Sequence, residues 1–411
     1  VLFLLFQAVF YLAQYPMTWI EEGFSYAGSW LNSVLPAGWF SDLAVNGILA
    51  GLSGIFIFVP QIMILFGLVT LLEDTGYMAR ISFLTDRLMR SVGLNGKSVM
   101  PLISGFACAV PAIMSARSIE NRKERLMTIL VTPLMSCSAR LPVYVILIGL
   151  VIPNIYFLGF LSLQGLVMMG LYLLGLVTAL TVSYIAKWFI KIKEKSFFIL
   201  ELPTYRAPRW NNVVQTMVNK ARIFVTDAGR IIMVISLILW ALSSFGPKNK
   251  MAAVEQQYQT VNTTSVVNNA LQKEYASAKL EASYAGLLGK AIEPVITPLG
   301  FDWKIGIALI TSFAAREVFV GTMATLYSVD EEKGTLLRDK LRAARKPDGT
   351  PLFTLATGLS LMIFYVFAMQ CMSTLAITRR ETRSWRWPVI QFVYMTGLAY
   401  LMGLIVYQLL K

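Results

Sequence analysis

Long apolar runs broken by short polar and charged stretches set the pattern of this chain. Residues 141–186 carry no Asp, Glu, Lys or Arg at all, most of two crossings at about 20 residues per bilayer span. The runs are continuous rather than alternating, which predicts helices and excludes the dyad pattern of a membrane β-barrel. The predicted spans are Val1–Tyr15, 47–72, Leu126–Ile152, Leu158–Ala186, Ile223–Phe245, Leu352–Ile377 and Trp387–Leu410. The first starts with no basic residues before it, so it reads as a span whose upstream part is missing, not as a signal peptide.

Lys and Arg sort the polar stretches between the two sides of the membrane. None occurs in residues 1–79, and segment 17–46, with Glu21, Glu22, Asp42 and three tryptophans, reads as an external loop. Segment 80–125 holds eight Lys or Arg against three acids, and 187–222 again holds eight; both read as cytoplasmic, as do the arginines of 379–386. Segment 246–283, rich in Gln, Asn, Ser and Thr, reads as external. The near-balanced stretch 330–348 leaves its own side, and that of the C-terminus, open. The apolar stretch 98–116 is flanked by basic residues at both ends and contains Pro101, Gly105 and Pro111. It predicts a re-entrant hairpin, a broken backbone tolerated at membrane depth only under cover of protein or a cavity.

The chain echoes itself. Residues 92–107 (VGLNGKSVMPLISGFA) align without gaps to 299–314 (LGFDWKIGIALITSFA) at an offset of 207, with six identities in sixteen positions. MSCSARL (135–141) also resembles MQCMSTL (369–375). With the sidedness above, the expected fold is an all-α polytopic membrane protein. It is built as an inverted repeat of span, re-entrant hairpin, span, span, plus one extra N-terminal span. The expected parts are 1–46, first span and external loop; 47–186, first gate repeat with hairpin 98–116; 187–222, cytoplasmic linker; and 223–410, second gate repeat with hairpin 305–328 and external loop 246–283. Inverted repeats of this kind place their sites near the midplane on discontinuous helices.

Composition agrees: 56% hydrophobic and only 14% charged residues over 411 positions, against about 25% charged in soluble domains. The net charge of +13 sits in clusters without interleaved aromatic platforms, so it reads as membrane orientation and excludes a nucleic-acid role. With no histidine and three cysteines, a metal would have to use thiol, thioether, carboxylate, hydroxyl or carbonyl groups. Cys108 lies in the first hairpin; Cys137 and Cys371 lie at echo-equivalent positions. Thiols select soft or borderline metals. Ser136, Ser138 and Met369 lie close by in sequence, and Met114, Met135 and Met372 read as core filling. Arg140 and the Arg316–Glu317 pair put charge inside apolar runs, where it marks a partner or a pathway. Glu73 and Asp74 end a span, as a solvated boundary or an ion exit. GLNGKS (93–98) imitates the tail of a phosphate loop, but Ser91 stands where the leading Gly belongs. A carrier of organic solutes, nucleoside-like, remains an alternative. A membrane thiol oxidoreductase is a weaker one, for no CxxC pair exists.

LEDTGYMARISFLTDRLM (72–89), GLNGKSVMPLISGFACAVPAIMSAR (93–117), ENRKERLMTIL (120–130) and MSCSARLPVY (135–144) resemble the membrane portion of the FeoB family of bacterial ferrous iron transporters. ELPTYRAPRW (201–210), AAREVFVGTMATLY (314–327) and MQCMSTLAITRRE (369–381) extend the resemblance over nearly the whole chain. It implies Fe(II) import across the bacterial inner membrane through two gate regions, around Cys108–Cys137 and Glu317–Cys371, with Fe(II) as substrate and no cofactor in this chain. It also implies a GTP-binding domain in cis or in trans carrying GTP and Mg, small cytoplasmic accessory proteins, and a homo-oligomer as possible company. Ala107 and Ala109 depart from the Gly and Asn common in the family, which removes an amide carbonyl beside Cys108.

Overall fold

The computed structural model describes residues 2–36, 38–106, 108–153, 155–157, 161–189, 205, 207–247, 278–313, 316, 318–327, 341–342, 344–345, 351–369 and 371–411. Helix α1 (Leu2–Val34) is followed by α2 (Trp39–Asp74), which passes through a π-helical stretch at Leu43–Leu49. Segment 17–34, expected as a loop, is therefore helical. Pro16 alone lacks an N–H there, and the hydroxyls of Thr18, Ser29 and Ser33 fold back onto carbonyls of their own helix. Next come α3 (Tyr77–Ser91), the short pair α4 (Val99–Gly105) and α5 (Ala109–Ser115), then α6 (Arg122–Val131), α7 (Leu141–Val151) and α8 (Leu163–Phe189). A two-residue antiparallel ladder, Tyr156–Phe157 with Leu161–Ser162, precedes α8 where the fourth span was expected to begin.

Helices α9 (Trp210–Ile223) and α10 (Gly229–Ser244) are joined by a π turn, so the second half of the expected 187–222 linker is helical. Residues 190–204 and 206 of that linker, and most of loops 246–283 and 330–348, lie outside the described residues. The remaining elements are α11 (Tyr284–Ile296), α12 (Trp303–Thr311), α13 (Val318–Leu326), α14 (Leu355–Phe367), α15 (Met372–Thr382) and α16 (Arg386–Leu410). Among the described residues, four helices are long and apolar enough to cross a bilayer: α2, α8, the interrupted α14–α15 run, and α16. Val389, Val393, Leu401 and Ile405 stand exposed along α16 while Met395 and Ala399 are buried. That is the division expected of a helix between lipid and protein.

The chain divides into two compact units. The first comprises Val1–Ser138, Gly175–Leu237 and Met372–Gln391, the second Ala139–Leu174, Ile238–Cys371 and Phe392–Lys411. In the first, α4 and α5 pack on each other and α2 packs on α9. Ile62 and Phe66 of α2, Val110 and Ile113 of α5, Ile129 of α6 and Ile377 of α15 form its buried core. In the second, α12 packs between α11 and α13, and α14 packs on α7.

The 207-residue echo recurs as local geometry. Helix α3 ends with Leu94 N–H donating to the Met89 carbonyl and Gly93 N–H to that of Arg90. Helix α11, through its 3₁₀ turn at Thr297–Leu299, ends with Phe301 donating to Ile296 and Gly300 to Thr297. Both ends are Schellman motifs, and Gly93 and Gly300 both take φ of +83°. The Asn95 side chain then accepts from Lys97 N–H, and that of Asp302 from Ile305 N–H, each opening the first helix of a pair.

Candidate functional site

Both predicted hairpins are pairs of short helices. In the first unit α4 ends at Gly105, and Cys108, in extended backbone, opens α5 with its N–H donating to the Ser104 carbonyl. In the second unit α12 and α13 are tied by a 2.8 Å hydrogen bond between the hydroxyls of Thr311 and Thr322.

The expected third span, Leu126–Ile152, is not one helix. α6 stops at Val131, a 3₁₀ turn covers Thr132–Leu134, the backbone is irregular at Met135–Cys137, and a second 3₁₀ turn (Ser138–Arg140) leads into α7. The cause is Pro133, which has no N–H to give the carbonyl of Ile129, four residues back. That carbonyl takes its hydrogen bond from elsewhere. Gln391 of α16, fully buried, donates its amide to the Ile129 carbonyl at 3.2 Å and to the Leu130 carbonyl at 3.4 Å. Its own carbonyl accepts from the Thr378 hydroxyl of α15 at 2.8 Å. Along α6 the Thr128 hydroxyl meets that of Ser98 at 2.8 Å, and Asn95 donates to the Glu124 carboxylate at 3.0 Å. A Cβ on Gly105 would sit 3.3 Å from Met135 and Thr132, and one on Gly175 of α8 would sit 3.0 Å from the buried Ser136 hydroxyl. Glycines thus let α4 and α8 close on the break.

The second break interrupts the expected sixth span. α14 ends at Phe367, Ala368, Met369 and Cys371 are not helical, and α15 starts at Met372. Arg316, 5% exposed, donates to the Ala368 carbonyl at 3.4 Å. Phe319 stacks edge-on against Tyr365 at 5.1 Å between ring centres. The two breaks fall on the two halves of the second sequence echo, each carrying Cys at the same place.

The predicted site residues are therefore placed as follows. Cys108 and Cys137 lie half-buried in the first unit, at the hairpin turn and at the break; Cys371 lies half-buried at the second break; none of the three is in a disulfide. Ser136 is buried, and Met369 is buried beside Cys371 in sequence. Ser138 is placed by its backbone in the 3₁₀ turn, whereas Glu317 lies outside the described residues. Among the described residues no three Cys, Asp or Glu side chains gather as a metal cluster. Asp74 accepts from the Asn212 amide at 3.1 Å and the Arg209 N–H at 3.4 Å, anchoring the start of α9, while Glu73 is exposed. Close by, burial and the charge of Arg117 push the Lys220 ammonium below the usual lysine range. Arg117 makes a two-pronged bond to Glu381 at 2.8 and 2.5 Å, which holds its guanidinium still more firmly protonated. The groups of GLNGKS that would cradle a phosphate are occupied. Gly96 N–H bonds Asp86, Lys97 pairs with Glu120, and Ser98 bonds Thr128. Gln391, Thr378 and Thr128 escaped the sequence reading; a Gln inside an apolar span was the signal available.

Residues 55–151 and 225–385 match the family model described as the nucleoside recognition gate, and residues 168–220 match the C-terminal family of ferrous iron transport protein B. The chain belongs to the FeoB family. It is 44% identical over 99% of its length to a protein of Leptospira biflexa named Fe(2+) transporter FeoB, and 42% identical over 98% to one of Leptospira interrogans with the same name. It is 38% identical over 99% to a Porphyromonas gingivalis protein named as a fusion of Fe(2+) transport protein A and FeoB. The chain covers 56%, 56% and 49% of those proteins, so it spans about half the length of the curated relatives it matches, the membrane part. No solved structure matches it. Both breaks and both hairpins fall within the gate-matched segments.

Proposed function

We propose that this chain is the membrane-embedded part of a ferrous iron importer of the bacterial inner membrane, and that Fe(II) moves past the two broken segments. The carrying observation is that Cys137 and Cys371 occupy equivalent places in two helix breaks, where backbone carbonyls leave the helical ladder. Thiolate at these points, with Cys108 at the hairpin turn, gives a borderline cation its softest ligands in a chain without histidine. Ser136 and Ser138 add hydroxyls, Glu317 a hard carboxylate and Met369 a thioether. Glu73, with Asp74 beside it, suits the exit end. The two halves act as inverted gate repeats, driven through a GTP-binding domain in cis or in trans. The relative fused to Fe(2+) transport protein A favours a small accessory partner.

The test is uptake by reconstituted protein. Cys137→Ser and Cys371→Ser should each cut Fe(II) uptake strongly while the fold stays intact, because a hydroxyl keeps the size and loses the softness. Thiols with a purely structural role would show the reverse: lower thermal stability from an unpaired polar group, about 1–3 kcal/mol, with transport per folded molecule preserved. Wild-type Fe(II) transport by the double Ser variant refutes the thiol path. Uptake of nucleoside in place of Fe(II), the reading the gate family's description favours, refutes the substrate assignment.

A further inference from the structure

An open recess of about 570 Å³ in the first unit is lined by Thr226, in the π turn before α10, by Arg230, in the first turn of α10, and by residues around the α15–α16 turn, including Arg379, Arg380, Arg383 and Trp385. No acidic side chain lines it among the described residues. The one acid of the 379–386 run, Glu381, is turned away; its carboxylate is only 7% exposed and already taken by Arg117. The Arg379 guanidinium lies 4.0 Å over the Trp385 ring, so its plane is fixed. Arg383 sits at φ +51°, a left-handed conformation unusual for a side chain of its size. Four arginines from two separate stretches of chain thus meet in one recess of a size that holds a small ligand. Guanidinium forks match phosphate oxygens in pairs.

We propose that this recess binds the phosphate of an anionic phospholipid headgroup. The surface around it favours a lipid over a soluble phosphate. Trp385 is 61% exposed, as interfacial tryptophans are, and Val389, Ile390 and Val234 stand exposed on the helices leading away from the arginines. The acyl chains of a lipid held by its headgroup would lie along that apolar surface. Basic recesses between helices at a membrane surface are where such headgroups are held.

The whole 411-residue chain is reconstituted in nanodiscs of phosphatidylcholine with a minor share of phosphatidylglycerol, extracted into detergent, and weighed by native mass spectrometry. The wild type should retain phosphatidylglycerol over phosphatidylcholine. Each arginine near an anionic surface is worth about five-fold in binding, so Arg230→Gln with Arg383→Gln should lower retention about 25-fold. Thermal unfolding of the lipid-free variant shows whether it is folded. If the pair is not, Arg230→Gln alone, at an exposed position, should still lower retention about five-fold. Equal retention by wild type and variants overturns the site and leaves the arginines as a face for an acidic protein. Displacement of the lipid by millimolar inorganic phosphate, with phosphate alone stabilising the wild type, overturns the lipid assignment in favour of a soluble phosphate.

Discussion

Replacing Gln391 by Leu tests how the first break is held. The side chain is fully buried and makes three hydrogen bonds, two to the carbonyls of Ile129 and Leu130 and one from Thr378. Leucine has nearly the same volume and restores none of them. Pro133 cannot supply the Ile129 carbonyl, so a buried acceptor is stranded, at about 1–3 kcal/mol. The lost bond at Leu130 adds about 0.5–1.5 kcal/mol. Thr378 can turn its hydroxyl to a carbonyl of its own helix, which limits its share. With about 1 kcal/mol returned by the apolar side chain, Gln391→Leu should destabilise by about 2 kcal/mol, the centre of the range these figures span. At about 2–4 °C per kcal/mol, that lowers the Tm in detergent by roughly 4–8 °C. Adding Pro133→Ala should recover part of the loss, because an N–H four residues on is the helical partner of the Ile129 carbonyl. The coupling is read as a double-mutant cycle. If Gln391→Leu melts with the wild type, or Pro133→Ala brings no recovery in its background, the account of the break is wrong.

Three further outcomes are expected. Gly300→Ala should cost more than Gly93→Ala in thermal stability; both pay about 1–2 kcal/mol for a left-handed residue, but at Gly300 the new Cβ runs into the rigid Tyr407 ring, whereas at Gly93 it meets the flexible side chains of Met127 at 2.9 Å and Lys187 at 3.1 Å, and equal losses would contradict this. Arg117→Gln should destabilise by about 1 kcal/mol after solvent screening of the half-exposed arginine, and adding Glu381→Gln should restore most of it in a denaturation series, since the loss is a sheltered carboxylate left unpaired. Thr260→Cys in a chain without other cysteines should react with an impermeant maleimide only from the external side of oriented vesicles; labelling only from the cytoplasmic side would invert the topology.

Much of the helix order was legible because span length, prolines and glycines speak locally. Pro101, Gly105 and Pro111 mark the first hairpin, and the echo at Gly300 marks the second. Two elements were missed for opposite reasons. Segment 17–34 carries acids and tryptophans that suggest a loop, yet it holds no proline, and its hydroxyls bond within the helix. Helix α11 was hidden by Gly286, Gly289 and Pro294; the backbone tolerates them because Gly289 lets α12 approach closely, a Cβ there colliding with Ile307. The first break was unreadable in LVTPLMSCSARLP as a uniform apolar run. Its cause, Pro133, is visible, but its remedy, Gln391, belongs to another helix with no periodic tie to it. The cysteines were legible through the echo; the polar contacts that shape their surroundings were not.

The bond between Gln391 and Ile129 spans 262 residues of sequence. A ribosome adding about 5–20 residues per second needs roughly 13 to 50 seconds to cover that distance. During that interval α6 has been made but its last carbonyls have no donor from the chain, so water or the insertion machinery must serve them. The first break therefore takes its final form only after the start of α16 has emerged. A nascent chain stopped short of Gln391 would carry both cysteines of the first unit in an unfinished setting, and quality control acting on α16 would amount to a check on a break laid down 262 residues earlier.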